Sequence, residues 1–317
     1  MAATTALALI GLGSCMMGAG VPGGFDRSYS VNGPVRLELT NGSGSSVVSA
    51  GGANEVHVHA EFRVHGWSDG SAERRKNELI ANPPISQQGN VISVGGFGPA
   101  SSNWMVNYTI TVPANTQIHA MAGSGSMSVT GIEGPANLMA GSGSIVASDI
   151  AEDVQAIAGS GKIELSKIKG QVQATAGSGK IELSDVRGES RVQAGSGSLA
   201  IVRPSDTVTA SSGSGGIQIT GAKADLRVRT GSGKVEVDGD PQATTFWEFR
   251  SSSGSVTLRV PPTASFRLYA RTNSGEIDAG IPITMEGTAG KHSLRARIGD
   301  GKARVEIETS SGNIALR

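Results

Sequence analysis

The segment AGSGKIELSKIKG, residues 158–170, returns almost unchanged as AGSGKIELSDVRG at residues 176–188. Between residues 118 and 240 its Gly-Ser-Gly triplet begins at positions 123, 141, 159, 177, 195, 213 and 231, so every interval in this block is the same. A short and constant period is the sequence signature of a repeat architecture. The segment therefore represents one unit of a stacked array.

Each unit contains two short runs in which apolar and polar residues alternate. After the second glycine of the triplet, Gly161, the first run places Ile163 and Leu165 in apolar positions. The second run begins eleven positions after that glycine and places Val172 and Ala174 in apolar positions. Alternation with a period of two predicts a strand with one buried face.

These patterns predict an all-β chain that forms a single parallel β-solenoid. Each 18-residue coil has two short strands and Gly-Ser-Gly corners, because one unit cannot bury its apolar face without a stacked neighbour. Coils roughly 4.8 Å apart would make the seven regular units a rod of about 30 Å. No aromatic residue lies between Tyr108 and Phe246, so the core of the rod is expected to be thin.

The corner glycines have two interpretations. One is structural: a tight reversal of the chain requires positive φ, which glycine adopts at low cost. The other is a phosphate-binding loop, but such a loop leads from a strand into a helix. A strand follows every triplet here, so the pattern favours the structural interpretation.

The Lys-x-Glu motif that follows the corner recurs at Lys162, Lys180 and Lys234. Residues two apart on a strand share a face, so the lysine and the glutamate are expected to face solvent. Stacked coils bring opposite charges together on the diagonal, which predicts a solvated charge ladder. The alternative is a glycan or ion site. Carboxylates that act in acid–base catalysis need unlike environments, which a row of equivalent residues does not provide.

The two ends of the chain are irregular. LELTNGSGSSVVS (37–49) predicts an early coil, EVHVHAEFRVHG (55–66) an amphipathic strand, and ERRKNELIA (73–81) the one short helix. Further corners follow the block at residues 253–254, 274–275 and 311–312. Terminal units of solenoids are atypical because they must cover an open edge, so both ends are expected to act as caps.

The N-terminus resembles the leader of an exported lipoprotein. The apolar run ALALIGLG (6–13) is too short to span a bilayer and suits a signal peptide. LGSC (12–15) resembles a lipobox, which predicts lipidation at Cys15. The opening MAATT carries no Lys or Arg, which departs from the usual pattern. The alternative is a cytoplasmic protein with an apolar N-terminus.

We therefore expect a lipoprotein-type signal peptide at 1–14 and a flexible tether at 15–29. Irregular coils and a cap are expected at 30–117, the regular repeats at 118–240, and longer coils with a second cap at 241–317. In the first cap, His57, His59, Glu61 and His65 share the polar face of one strand. They are either a zinc or copper site or the ordinary polar face of an amphipathic strand. The second interpretation is favoured, and no metal, cofactor or catalytic residue is assigned.

Charge and cysteine content limit the classes of partner. The chain has 27 basic and 27 acidic residues, so no overall field attracts nucleic acid. Cys15 is the single cysteine, which excludes disulfides within the chain. The expected partner is a surface glycan or protein, with membrane contact through the lipid anchor alone. The basic cluster at 74–76 is expected to be a solvated helix surface.

The block that begins TVPANTQIHAMAGSGSMSVTGIEGPANLMAGSGSIVASDI (111–150) and the closing GKARVEIETSSGNIALR (301–317) support a family comparison. They resemble the bacterial putative-adhesin family of β-strand-repeat proteins, a domain of unknown function related to the head domains of autotransporter adhesins. The resemblance covers about residues 30–317 and rests on repeat motifs. It implies a β-solenoid at the cell envelope and supplies no catalytic residues.

The sequence therefore predicts a non-catalytic envelope β-solenoid, either an adhesin or a structural scaffold, that presents repeated polar faces for binding. It would be exported and lipid-anchored on the outer membrane or a periplasmic face, or else secreted. Two alternatives remain open. One is a polysaccharide-binding or polysaccharide lyase-like envelope protein, and the other is an envelope-stress sensor or regulatory module.

Overall fold

The fold is given by a computed structural model that describes residues 20–64, 69–96, 104–286 and 290–317. These residues form two long sheets, one of 14 strands and one of 15 strands, together with one helix. Most neighbouring strands are parallel, and the sheets face each other across a shared core. The predicted all-β solenoid with one short helix is confirmed.

The N-terminal end combines parallel coils with an antiparallel cap. Its elements are β1 (Val21–Ser30), β2 (Arg36–Asn41), β3 (Ser46–Ala50), β4 (Glu55–Val64), α1 (Asp69–Ala81), β5 (Ile85–Gln88), β6 (Val91–Gly95) and β7 (Trp104–Val112). β4 pairs antiparallel with both β1 and β7, and α1 packs against β1 and β4. The amphipathic strand and the early coil, which is β2 and β3, are confirmed.

β1 corrects the expected tether. Residues 15–29 were expected to be flexible, but β1 occupies Val21–Ser30 and pairs with β4 along its whole length. The sequence VPGGFDRSYS has a proline and two glycines, so its intrinsic strand propensity is low. A continuous ladder with β4 and the burial of Phe25 compensate for that deficit. Cys15 and the leader lie outside the described residues.

The central block is a regular solenoid. Its strands are β8 (Gln117–Ala122), β9 (Met127–Thr130), β10 (Ala136–Ala140), β11 (Ile145–Ile150), β12 (Val154–Ala158), β13 (Ile163–Ile168), β14 (Val172–Ala176), β15 (Ile181–Ser184), β16 (Ser190–Ala194), β17 (Leu199–Val202), β18 (Val208–Ser212), β19 (Ile217–Ala222), β20 (Leu226–Thr230) and β21 (Val235–Gly239). Successive coils pair in parallel with an offset of one repeat, so that Ile145, Ile163 and Ile181 are neighbours. The predicted register is confirmed.

The core is a narrow layer between the two sheets. Ile163 and Leu165 enter it from the 14-stranded sheet, and Val172 and Ala174 enter it from the other sheet; all four are at most 2% exposed. Ile168, at the corner between the two strands, is also fully buried. Small alanine side chains allow the sheets to approach closely, so that no large aromatic is needed to fill the gap.

The corner glycines are required for a different reason from the one expected. None of the block's Gly-Ser-Gly glycines has a positive φ. Instead, a Cβ on Gly161 would lie 1.7 Å from the carbonyl oxygen of Gly143 in the preceding coil. The same clash recurs at 1.6–1.9 Å for the second glycine of every triplet in the block. Stacked backbones leave no space for a side chain at these positions.

Positive φ is found at the opposite corner of each coil. The residues are Gly131, Asp149, Lys167, Asp185, Arg203 and Gly221, each one repeat from the next. Most of them are not glycine, although the left-handed region costs an L-residue roughly 1–2 kcal/mol. Two ion pairs within this row, Lys167 with Asp149 and Arg203 with Asp185, accompany the strained backbone.

The C-terminal end does not stack in chain order. Its strands are β22 (Phe246–Ser251), β23 (Val256–Arg259), β24 (Phe266–Thr272), β25 (Ile277–Ala279), β26 (Thr284–Met285), β27 (Ser293–Ile298), β28 (Ala303–Thr309) and β29 (Ile314–Leu316). β28 lies between β22 and β24, and β29 lies between β23 and β25. The last coil of the chain, β28 and β29, therefore lies between the coil of β22 and β23 and the coil of β24 and β25. Antiparallel β27 and β26 complete this end of the 15-stranded sheet.

Ser190 is a defect in this core that offers a stability test. It is 1% exposed, it lies in register between Val172 and Val208, and its hydroxyl has no hydrogen-bond partner among the described residues. We expect Ser190→Val to raise the free energy of unfolding by about 1–2 kcal/mol, because a buried hydroxyl without a partner is costly. Urea unfolding measures the change. Ser190→Ala should gain less, since it fills no space, and a loss of stability in both variants would contradict the assignment.

Candidate functional site

The charge ladder on the 14-stranded sheet is the outward surface that the sequence predicted most directly. Lys162 Nζ lies 2.8 Å from a carboxylate oxygen of Glu164 and 2.6 Å from one of Glu182 in the next coil. Lys180 also bonds to Glu182, and Lys234 repeats the arrangement with Glu236. The diagonal pairing is confirmed. The carboxylates of the ladder are therefore already ion-paired with lysines of the same ladder.

The ladder shifts the acid–base equilibrium of its members. Hydrogen bonds from Lys162, and then from Lys180, hold the pKa of Glu182 below its usual 4.5. Hydrogen bonds to Glu164 and then Glu182 raise the pKa of Lys162. Because the folded pKa of Glu182 is depressed, its contribution to stability is present above pH 4.5 and is lost as the pH falls through the folded value.

Glu182→Gln tests this contribution. At neutral pH we expect the variant to lose less than about 1 kcal/mol, because the Glu182 side chain is 30% exposed and such pairs are screened by water. The difference from the unmodified chain should shrink towards zero as the pH is lowered below 4.5. Urea unfolding between neutral pH and strong acid measures it. Glu133→Gln, at an exposed residue with no ion pair in the described structure, is the control. If the difference in the free energy of unfolding between Glu182→Gln and the unmodified chain increased at acidic pH, the predicted direction of the pH dependence would be wrong.

The histidine face of β4 is arranged around one carboxylate. His59 Nδ1 lies 2.8 Å from an Asp26 oxygen, and His57 Nε2 lies 3.6 Å from the same oxygen. Glu61 is 3.8 Å from His59, while His65 lies outside the described residues. Among the residues that the structure describes, no group of three or more His, Cys, Asp or Glu is placed to hold a metal ion. Asp26 belongs to β1, the strand that the sequence did not predict.

The basic cluster at 74–76 lies on α1. The Arg74 guanidinium bonds to the carbonyl oxygen of Gly70, and Lys76 pairs with Glu73 one turn away. Local partners within the helix therefore engage two of the three cations. Arg74 is exposed, as predicted, whereas Arg75 and Lys76 are half-buried, so the cluster is a solvated surface only in part.

A register row crosses the outer face of the 15-stranded sheet and passes through most of its coils. We call it the central row; in spatial order its residues are His119, Asn137, Gln155, Gln173, Arg191, Thr209, Arg227, Glu248, Glu306, Tyr269 and Arg295. Eleven strands spaced by roughly 4.8 Å give the row a length of about 48 Å. Its amide-rich half lines a shallow groove of about 300 Å³.

The other end of the central row opens into a larger basin of about 740 Å³ at the C-terminal cap. We call it the arginine basin, and its defining residues are Phe246, Arg267, Tyr269, Arg295, Arg304 and Glu306. They come from four strands, β22, β24, β27 and β28, which the crossed stacking order brings together. Residues that are up to 60 positions apart in the sequence, such as Phe246 and Glu306, therefore lie on one surface.

Arginine side chains and aromatic rings alternate across the basin. The Arg304 guanidinium lies 5.4 Å from the centroid of the Phe246 ring, and the Arg295 guanidinium lies 5.3 Å from that of Tyr269. Such cation–π contacts keep the guanidinium groups in place without neutralising them. Arg267 is in register with Arg304 on one side and with Arg297 on the other.

The basin carries an excess of positive charge. Arg304 pairs with Glu306, and Arg297 lies 3.6 Å from Glu286. Within the described part of the chain, Arg267 and Arg295 form no ion pair. Two cations are therefore free to bind an anion, and they lie beside carboxylates and ring faces that can bind hydroxyl-bearing groups.

Sequence analysis did not identify this basin. It predicted only longer coils and a cap for residues 241–317 and assigned no role to the arginines there. The available signal was alternation: FRLYAR (266–271) and SLRARI (293–298) each place arginine at all but one of their outward positions. Alternation predicts exposure on a strand, but it does not predict that these two strands become neighbours.

Comparison with known proteins supports the repeat architecture at the level of family. The family model described as Toastrack DUF4097 matches residues 53–317. No curated protein matches the chain. The crystal structure of a putative cell adhesion protein from Clostridium sporogenes is similar over 93% of this chain and 99% of that chain, at 14% sequence identity and a TM-score of 0.22. A TM-score of that size does not support an inference about function.

Proposed function

The chain belongs to the Toastrack DUF4097 family, and from that premise we propose that it is a non-catalytic β-solenoid of the cell envelope, which binds a surface partner as an adhesin or a structural scaffold. The observation that carries the proposal is the central row. Its outward residues, aligned across successive coils and cap strands, allow contact energy to be spread over many weak, similar contacts.

Two repeated sets of polar residues, the triplet serines and the ladder glutamates, take part in the fold, and this supports the proposal of a non-catalytic role. Serines of the triplets form the corners, and their backbone N–H groups bond to the preceding coil, as Ser142 does to Gly123. The glutamates of the ladder are paired with lysines. A binding surface built on rigid strands is consistent with such a division of roles.

Export and anchoring are part of the proposal and rest on the sequence. We propose that residues 1–14 are a signal peptide and that Cys15 becomes the lipidated first residue. No helix among the described residues is long and apolar enough to cross a bilayer. Mass spectrometry of the chain from native membranes would test the anchor: a diacylated or triacylated N-terminal Cys15 supports it, and an intact Met1 with a free thiol excludes it.

Binding is tested with an array of glycans and matrix proteins probed with the exported chain. Saturable binding to at least one class supports the proposal. Depolymerisation of a panel of uronate polymers provides the contrary test. If the chain degrades such a polymer and a substitution on the central row abolishes the turnover, the protein is an enzyme and the proposal of a non-catalytic binding module is wrong.

A further inference from the structure

We propose that the central row and the arginine basin form one binding site for an acidic polysaccharide, a chain of carboxylate-bearing sugars that lies across the strands with its acidic groups in the basin. The inference rests on the proposed function and names its partner class. It follows from three features of the same surface: its charge, its chemical mixture and its length.

The charge of the basin requires an anionic ligand. Arg267 and Arg295 project from neighbouring strands without ion-pair partners in the described structure, and Lys302, which is paired with Asp300, lines the same space. Guanidinium groups bind carboxylates through two parallel hydrogen bonds, which gives both affinity and orientation. A ligand with regularly repeated carboxylates can engage arginines that are spaced by the strands of a sheet.

The chemical mixture favours a sugar over a nucleic acid. Glu306 and Glu286 lie among the arginines, where their carboxylates can accept hydrogen bonds from the hydroxyl groups that a sugar carries on every ring. Tyr269 and Phe246 are partly exposed, and each ring lies beside the guanidinium group stacked on it, so apolar and charged atoms alternate across the basin. The chain as a whole carries no net charge, unlike proteins that depend on a basic surface to bind nucleic acid.

The length of the row favours a polymer. Beyond the basin, the row passes the buried Glu248, which is paired with Arg250, and continues through two arginines to the amide half. The arginines are Arg227 and Arg191, and the amides are Gln173, Gln155 and Asn137. Amide side chains donate and accept hydrogen bonds, which suits hydroxyl groups along a glycan.

The test is calorimetric titration of the full exported chain with oligogalacturonates of increasing length. We expect saturable binding that strengthens with length and weakens with added salt, because the pairs are exposed to solvent. Arg267→Gln should weaken binding about tenfold, the loss typical of one charge-assisted pair. The matched control is Arg187→Gln, at another exposed arginine without an ion pair in the described structure, and it should leave binding unchanged.

A second variant separates the row from the basin. Gln155→Glu adds a negative charge to the amide half, so it should weaken the binding of long oligomers and leave short ones unaffected. Equal affinity for neutral dextran, equal affinity for single-stranded DNA, or an identical result for Arg267→Gln and Arg187→Gln would overturn the proposal. If oligogalacturonate fails to bind while the array retains another ligand, the inference fails and the proposed function stands. If the chain also binds no glycan or matrix protein on the array, the proposed function fails.

Discussion

Gly161→Ala is expected to lower the free energy of unfolding by about 4 kcal/mol or more, the range in which a single substitution points to a specific structural cause. The added Cβ would lie 1.7 Å from the carbonyl oxygen of Gly143, and its second neighbour is the carbonyl carbon of the same residue at 2.5 Å. Both atoms belong to backbone that is fixed by parallel ladders on either side of the corner. A flexible side chain could move away, but this backbone cannot move without separating two coils.

The matched control lies in an equivalent corner three coils further along. Gly216 follows the last residue of a Gly-Ser-Gly triplet, and a Cβ there would approach nothing closer than the Lys234 carbonyl oxygen at 3.5 Å. Gly216→Ala makes the same chemical change and should be neutral or slightly stabilising, because it removes backbone freedom from the unfolded chain. Equilibrium urea unfolding, followed by far-UV circular dichroism, compares the two. Similar midpoints for both variants would contradict the role of close backbone approach.

The regular block was predictable because its information is local and repeated. One residue pattern, apolar at Ile163 and Leu165 and again at Val172 and Ala174, is sufficient to define the strands, their buried faces and the register, since an error in register would expose every apolar residue. The need for glycine at the corners could also be predicted. The physical cause of that need could not be predicted, because a steric clash between coils and a positive φ both select glycine. Only the distance between stacked backbones distinguishes the two causes, and the sequence does not encode that distance.

The two ends were not predictable to the same degree. β1 has weak strand propensity and exists because β4 pairs with it along its whole length. β24 and β28 have the same alternation of buried and outward residues, so the local pattern does not decide the choice of which strand pairs with β22. The arginine basin depends on that choice, since Arg304 is in register with both Phe246 and Arg267 because β28 lies between β22 and β24. A site built by long-range pairing therefore remained hidden, whereas the charge ladder, built by the repeat itself, was found.

Trp247 marks the point at which the regular block gives way to the C-terminal cap. It directly follows Phe246, the first aromatic residue after Tyr108, and is fully buried. Its indole N–H donates a hydrogen bond of 2.7 Å to the Ala224 carbonyl oxygen, and its ring meets that of Phe249 edge to face at 6.3 Å. A Cβ on Gly239 would lie 2.9 Å from the indole, so the absence of a side chain there leaves space for the ring.

Trp247→Ala is expected to cost about 4 kcal/mol, because the cavity left by an indole in a thin core has few mobile neighbours to fill it. Trp247→Phe should lose less, since it keeps a ring and gives up the hydrogen bond. The loss should also be local, because each coil of a solenoid contacts mainly its neighbours. Hydrogen exchange should therefore accelerate in β22, β24 and β28 while β10, β12 and β14 keep their protection. Uniform acceleration along the whole chain would show instead that the solenoid unfolds as one cooperative unit, and a loss below about 1 kcal/mol would show that Trp247 does not hold the cap to the block.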